Sequence, residues 1–445
     1  MKRLTLVCAV STACLLTACG GSSKSNINVT NSSTNTTIPV NATPPPTPVS
    51  KYGISFNTVI ENDCGVAPIA SSLVFHNEQG QAIETPVIKP DGLFQYSRPA
   101  DTHYISIIAT QTDSNNEKQT EIITINNVDD IASDLALGTV TFKGYQSCDC
   151  DAVNFDVSEL AVTNSDYTLT GFSDNIILAN SPAELTLCAN SLQEKLLFIK
   201  NANTGDVRGG VFSLTDGNHI VLSDADFTST GVVVNTTQHT QANEYVLIST
   251  NPANLVTREQ SRYARFSDTP LYIFPNIVEQ SYITSYLTQT MNEDEVSITI
   301  ELFATNTIDD TGTSNAAEHI QISAQLAAAF ADSGDSMVDN YDFGSVDQRI
   351  NEVTFTMKWQ DQFNGHVSWA IRGDTKGTIA ELLFGNYLNE DKAQPINPSL
   401  SFTLAAYQFN GSYAELQKLR TNPLSSNEVK DLLAESAFLN ITASQ

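Results

Sequence analysis

The chain reads as an all-β protein, tandem antiparallel β-sandwich-like domains followed by a short C-terminal helical segment. Three observations point there. Apolar and polar residues alternate with period two, most clearly where Val296, Ile298, Ile300 and Leu302 interleave with Ser297, Thr299 and Glu301. The alternating runs are short and bounded by Gly, Pro, Asn and Asp, as hairpin-connected strands are. Helical spacing is convincing only near the C-terminus.

Taken in order, the chain opens with Lys2 and Arg3, then an apolar run from Leu4 that closes on Leu16-Thr17-Ala18-Cys19. At ~1.5 Å per residue this run spans ~20 Å, short of the ~30 Å hydrocarbon core. A cationic start, a short apolar run and small residues before a cut site make a signal peptide. The closing tetrapeptide resembles the lipobox of bacterial lipoproteins. That resemblance implies removal of residues 1–18, a lipid on Cys19 with palmitate among its acyl chains, and the membrane as a partner through that lipid. Gly20, where inner-membrane lipoproteins carry Asp, implies lipid anchoring at the outer membrane, facing the periplasm or the cell surface.

Residues 19–51 hold the lipidated residue and a Ser/Thr/Asn/Pro-rich stretch with too few apolar side chains for a core. It reads as a disordered tether, stiffened at Pro44-Pro45-Pro46, with an end-to-end reach of roughly 30 Å.

The next segment, 52–142, is expected to be a β-sandwich domain. Its clearest phrase is Lys89-Pro90-Asp91-Gly92-Leu93-Phe94-Gln95-Tyr96, then Arg98-Pro99-Ala100-Asp101 and Tyr104-Ile105-Ser106-Ile107. The Asp-Gly pair predicts a turn between two strands, with Phe94 and Tyr104 meeting across them. The phrase resembles carboxypeptidase-regulatory-like or prealbumin-like β-sandwich modules, which implies a non-catalytic spacer or adhesion unit.

Segment 143–255 reads as a β domain with disulfides. It opens on Cys148-Asp149-Cys150, and Leu197–Lys200, Gly210–Leu214 and Gly231–Val234 are its candidate strands. Asn203-Thr204-Gly205 and Asp216-Gly217-Asn218 supply turns. Segment 256–445 carries the strongest strands: the 296–302 run, Val353-Phe355-Met357-Trp359 against Thr354, Thr356 and Lys358, and Leu400-Phe402-Leu404. One apolar and one polar face is the signature of a sheet with one side wet. At the end, Tyr413–Leu419 reads as a short helix. Ser425-Ser426-Asn427-Glu428 reads as a capping box leading Val429, Leu432, Leu433 and Leu439 onto one helical face.

Charge and cysteine use narrow the function. Lys and Arg number 22 against 50 Asp and Glu, a formal net charge of −28 that cleavage after Ala18 would deepen. Such a surplus repels phosphate backbones, which argues against nucleic acid as a partner. Cys64, Cys148, Cys150 and Cys188 would remain in the exported protein. An even number in an oxidising compartment predicts two disulfides. A Cys148–Cys150 bridge closes a strained ring. Cys64 is therefore expected to join one of that pair and Cys188 the other, with 64–148 and 150–188 the preferred order.

No Gly-x-Ser-x-Gly elbow, phosphate-binding loop or His-Glu-x-x-His appears. His76, His103, His219, His239, His319 and His366 are widely spread. The run Asp332, Asp335, Asp339, Asp342 and Asp347, with Asn340, reads as a solvated loop, with Ca²⁺ as the one metal its oxygens would suit. Trp359 and Trp369 share faces with apolar neighbours and read as core, and Arg258, Arg262 and Arg265 as partners of the protein's own carboxylates. No catalytic, cofactor-binding or metal-ligating residue is assigned. The expectation is a non-enzymatic structural, adhesive or assembly protein of the cell envelope, working with another envelope protein. The alternative is a glycan-binding or glycan-active surface lipoprotein, since a pair of carboxylates leaves little trace in a sequence.

Overall fold

In the computed structural model of the chain, alternation becomes pairing. The structure describes residues 49–444 except 63–64, 89–93, 129–133, 146–150, 172–174, 190–193, 215–218, 238–241, 252–253, 264–269, 294–295, 316–317, 324, 327–339, 362–363, 386, 389–395, 408, 410 and 422–434. Cys19 and its leader, Cys64, Cys148, Cys150, the Asp91-Gly92 turn and the Ser425–Glu428 capping box lie outside these residues.

The period-two runs build one sheet of 13 strands. Its order across the sheet is Asn254–Tyr263, Glu244–Asn251, Gln280–Glu293, Val296–Ile308, Ser436–Ser444, Ile396–Tyr407, Ile350–Asp361, Gly365–Gly373, Lys118–Ile125, Tyr104–Thr112 and Ser71–His76, the last carrying Ala82–Glu84 and Val87–Ile88 at its edge. The backbone of this sheet is the long hairpin 280–308, paired without interruption from Ser281↔Ile308 to Glu293↔Val296.

The sheet crosses between segments that are remote in sequence. Gly365–Gly373 pairs in parallel with Lys118–Ile125, His366 opposite Gln119 and Arg372 opposite Ile125. Parallel neighbours need a long crossover, and the whole of 126–364 supplies it. Gly365 begins the incoming strand at φ +70°, where any Cβ would collide with the Lys118 carbonyl. Only glycine fits that junction. Parallel pairs also join Val49–Asn62 to Leu135–Lys143 and Asp151–Asp156 to His219–Val221. Local alternation carries no trace of these three contacts.

Each face of the large sheet has a different cover. One face holds Val353, Phe355, Trp369, Ile371, Phe402, Leu404, Leu439 and Ile441, buried under the excursions that carry Ile320, Phe343, Ile379 and Phe384. The opposite face is covered at its 71–125 end by a smaller sheet of Val49–Asn62, Gly65–Pro68, Phe94–Pro99 and Leu135–Lys143. Phe56, Phe75, Ile105, Ile107, Ile125 and Phe142 fill that sandwich. Strand Val49–Asn62 starts inside the stretch expected to be tether, because Val49 pairs with Pro99.

Phe94 and Tyr104 do not face each other. Phe94 lies in the smaller sheet beside Phe56, ring centroids 5.2 Å apart, whereas Tyr104 points into the core of the large one. The two strands that follow one another in sequence belong to opposite layers of the sandwich.

Between these regions, residues 151–230 form two small sheets around Phe155, Leu160, Leu169, Leu197, Phe212 and Phe227, and Val232–Val233 pairs separately with Tyr272–Ile273. The candidate strands here are found at Glu194–Asn201, Val207–Ser213 and Val232–Val233. Leu196, Phe198 and Val207 pack on Tyr272, Phe274 and Val278. The C-terminal helix is Tyr413–Thr421, and its capping box is Ser412 with Glu415: the Ser412 N–H donates to the carboxylate at 2.8 Å and the Glu415 N–H to Ser412 Oγ at 3.3 Å. Leu439 is not helical. It lies in strand Ser436–Ser444, where Ala437, Leu439, Ile441 and Ala443 turn inward with period two.

Candidate functional site

Two constellations of polar side chains stand out, one on each face of the large sheet. The first is sealed. His76 and Ser106 are each 0 % exposed, and four adjacent strands contribute to a chain of hydrogen bonds. Trp369 Nε1–H donates to Thr124 Oγ1 at 2.9 Å, Thr124 and Ser106 hydroxyls meet at 2.7 Å, and Ser106 Oγ lies 3.0 Å from His76 Nε2. His76 Nδ1 sits 3.3 Å from the Gly80 carbonyl.

The carbonyl can only accept, so the proton of the neutral ring belongs on Nδ1 and Nε2 accepts from Ser106. The donors then run one way: Trp369 to Thr124, Thr124 to Ser106, Ser106 to His76, His76 to Gly80. Burial lowers the His76 pKa to about 4, with the Gly80 bond opposing part of the effect. Protonating Nε2 would turn the Ser106 hydroxyl back towards Thr124, whose own proton already points at Ser106.

Ser106 and His76 have the spacing of a nucleophile and its base. Neither touches solvent, and the group orienting the ring is a peptide carbonyl. The arrangement satisfies polar groups within a core and fastens strands of the N-terminal segment to the C-terminal one.

The residues singled out in the sequence are not brought together. Trp369 is buried at 6 % exposure, with its ring edge-on to Phe384 at 5.1 Å, and Trp359 is partly buried against the same core. Asp332, Asp335 and Asp339 lie outside the described residues. The two described members of that run do not fit a Ca²⁺ site, because each faces a cation of the protein. Lys376 hydrogen-bonds Asp342 at 2.9 Å and holds it below the usual carboxylate range. Burial would raise Asp347, and the Arg349 guanidinium, 2.7 Å from Oδ2, overcomes it and holds the carboxyl low. Among the described residues, no group of three or more His, Cys, Asp and Glu is arranged to hold a metal.

His319 Nε2 lies 3.2 Å from Ser285, His366 pairs with Glu117 at 3.1 Å and His219 stands 3.9 Å from Glu184, while His239 is outside the described residues. Arg258 and Arg262 fall on the edge strand Asn254–Tyr263; their side chains and Arg265 are not described. Cys188 lies in strand Glu184–Ala189 opposite Ala152.

The second constellation is on the wet face, and it is the one the sequence reading passed over. Here the polar half of the alternation is almost entirely Ser, Thr and Asn. Register places Thr290, Thr299, Thr442, Ser401 and Thr356 side by side on five consecutive strands. The next rung is Thr288, Glu301, Asn440, Thr403 and Thr354. Thr288 and Thr290 are exposed and the others half-buried. Hydroxyls of Ser401 and Thr442 meet at 2.9 Å, Thr403 donates to Asn440 Oδ1 at 3.2 Å, and Asn440 Nδ2 donates to Glu301 at 2.7 Å.

One rung further, Tyr286, Phe303 and Phe438 stack in a row. Their centroids are 5.5 and 4.9 Å apart and their planes 27° and 22° from parallel. These rings are half-buried, with the far end of the row turning edge-on to Tyr407 under the helix. The signal was present in the sequence as Ser or Thr at alternate positions: 297, 299, 305 and 307, then 354 and 356, then 399, 401 and 403, then 442 and 444. It became legible only once register aligned those runs.

Comparison with protein-family models, curated proteins and solved structures finds no match to this chain. The reading of its function therefore rests on its own residues.

Proposed function

We propose that this protein is a lipid-anchored, non-enzymatic component of the cell envelope, with a structural, adhesive or assembly role. The observation that carries the proposal is Leu16-Thr17-Ala18-Cys19 at the end of a short apolar run, followed by a polar stretch that gives way to strand at Val49. An all-β body joined by a sheet spanning Ser71 to Ser444 supports the mechanical side of the reading. So does the commitment of the buried Ser106–His76 pair to strand cohesion rather than to a cleft. The test is Cys19→Ser followed by membrane fractionation. Loss of the protein from the membrane pellet is expected, and pelleting as before would remove the anchor from the account.

The same reading includes disulfides Cys64–Cys148 and Cys150–Cys188. Pairing of the described neighbours supports that order. Glu61 lies opposite Lys143 at the approach to Cys64 and Cys148, and Asp151 and Ala152 lie opposite Ala189 and Cys188. Non-reducing peptide mapping checks it, with both cross-linked peptides expected.

A second reading, glycan binding at the surface, is favoured by one observation: the aromatic row Tyr286–Phe303–Phe438 runs beside rungs of hydroxyls on a half-exposed face. Aromatic side chains with a few convergent polar groups are the usual ingredients of a small-molecule site.

A further inference from the structure

The wet face of the large sheet is unusual in its charge. The chain carries 50 acids and 22 bases, yet on these five strands the rungs through Thr299 and Glu301 hold a single charged side chain, and Arg372 on the sixth strand, beside Thr354, is the next charge along. The single one, Glu301, accepts a hydrogen bond from Asn440 at 2.7 Å. Elsewhere acidity would keep the surface soluble and repel polyanions. Here the surface offers hydroxyls and an amide, which donate and accept without preference for either sign.

Across the strands these groups repeat at about 4.8 Å, and along each strand at about 6.8 Å, two residues on. A ligand with one or two hydroxyl groups meets such a surface weakly. A polymer bearing hydroxyls at close intervals meets it many times over, and the small terms add. Beside the rungs, the half-buried rings of Tyr286, Phe303 and Phe438 are stacked face on face, so together they give an apolar border against which the C–H faces of pyranose rings can rest. A protein partner would find little here for the apolar centre that stable interfaces need, since that row is the apolar part of these rungs. An anionic polymer would meet the protein's own field.

We propose that this face docks a neutral polysaccharide. The polymer lies over the rungs, Thr299, Thr442 and Ser401 exchange hydrogen bonds with its hydroxyls, and Phe303 and Phe438 carry its apolar edge. The inference rests on the glycan reading above and gives it a place and a ligand class. It is independent of the lipid anchor.

The experiment is retention of the detergent-solubilised full chain on a panel of neutral polysaccharides (cellulose, chitin, xylan, dextran and starch), with alginate and polygalacturonate as anionic counterparts. Retention on at least one neutral polymer is expected, little changed between low and high salt because no ion pairing is involved. Thr442→Arg, which plants a long charged side chain in the middle of a rung, is expected to weaken it at least tenfold with an unchanged melting temperature. Thr290→Arg, at the exposed end of the same rung, keeps the test alive should the first variant fold poorly, and Phe303→Ala removes the middle of the apolar border. Glu78→Arg, exposed on a distant turn, is expected to bind as the parent does.

Absence of retention on every neutral polymer would overturn the proposal, as would preference for the anionic ones or retention that the rung variants leave intact. Self-association that Thr442→Arg abolishes would assign the face to a second copy of the chain and overturn it equally. None of these failures bears on Cys19, whose fractionation test stands apart.

Discussion

The two faces of the large sheet carry the same side-chain chemistry and put it to different uses. On the covered face, Ser106 and Thr124 pair at 2.7 Å between His76 and Trp369, with every donor directed to an acceptor. On the wet face, Ser401 and Thr442 pair at 2.9 Å, within reach of solvent. Away from water a hydroxyl that loses its partner has nothing to replace it, so the buried chain must be complete. At the wet face water stands ready, so the same groups can break their mutual bonds and offer them to a ligand. Burial, and not composition, separates the element that holds the fold from the element free to bind.

The comparison can be broken in graded ways. The largest loss is expected where the covered face is purely apolar. Phe355 is buried against Tyr341 and Phe402, with centroids 5.1 and 5.3 Å away, and Phe355→Ala should cost about 3–5 kcal/mol in denaturant unfolding. A near-neutral result would mean that this face is not the main core.

Next in size is the pH dependence of the buried chain. The ordinary His pKa is 6.5 and the folded value about 4, so the unfolded chain takes up the proton first on acidification. The contribution of His76 is therefore fully present above about pH 6.5 and is lost progressively as pH falls towards 4, by about 3 kcal/mol in all. The difference in unfolding free energy between the parent and His76→Gln should shrink over that window. A difference independent of pH would show that the ring titrates normally.

Thr124→Val sharpens the contrast directly. It strands the Trp369 N–H and takes away the bond that Ser106 Oγ accepts, and should cost about 1–3 kcal/mol. Thr442→Val on the wet face should stay within about 0.5 kcal/mol, because water replaces the lost partner. Equal costs would erase the distinction between the faces. A similarly small effect is expected off the large sheet: Lys376→Ala removes the exposed pair with Asp342, and a change of about 0.2–1 kcal/mol, diminishing with salt, should follow.

How much of this was legible in the sequence depended on whether a feature is local. The strands 296–308, 350–361 and 396–407 follow from inward-facing residues such as Ile298, Phe355 and Phe402 recurring every second position. The helix at Tyr413 follows in the same way, from residues within a few positions of each other. Leu439 lies in strand Ser436–Ser444 and not in the expected helix, because Val429, Leu432 and Leu433 satisfy helical spacing with it as readily as its neighbours satisfy period two. The meeting of Phe94 with Tyr104 failed because nearness along the chain does not decide which layer of a sandwich a strand enters.

By itself the sequence determined the β class, the acidic surface and the signal-like start, all of which depend on composition and short-range spacing. Only the tertiary structure decided that Gly365–Gly373 lies against Lys118–Ile125, that His76 sits in a closed hydrogen-bond chain, and that Thr290, Thr299, Thr442, Ser401 and Thr356 share one rung. The reason is physical. A strand's side chains fix which face is apolar, but which strand lies alongside is fixed by the chain's excursions and by the burial available to the whole sheet.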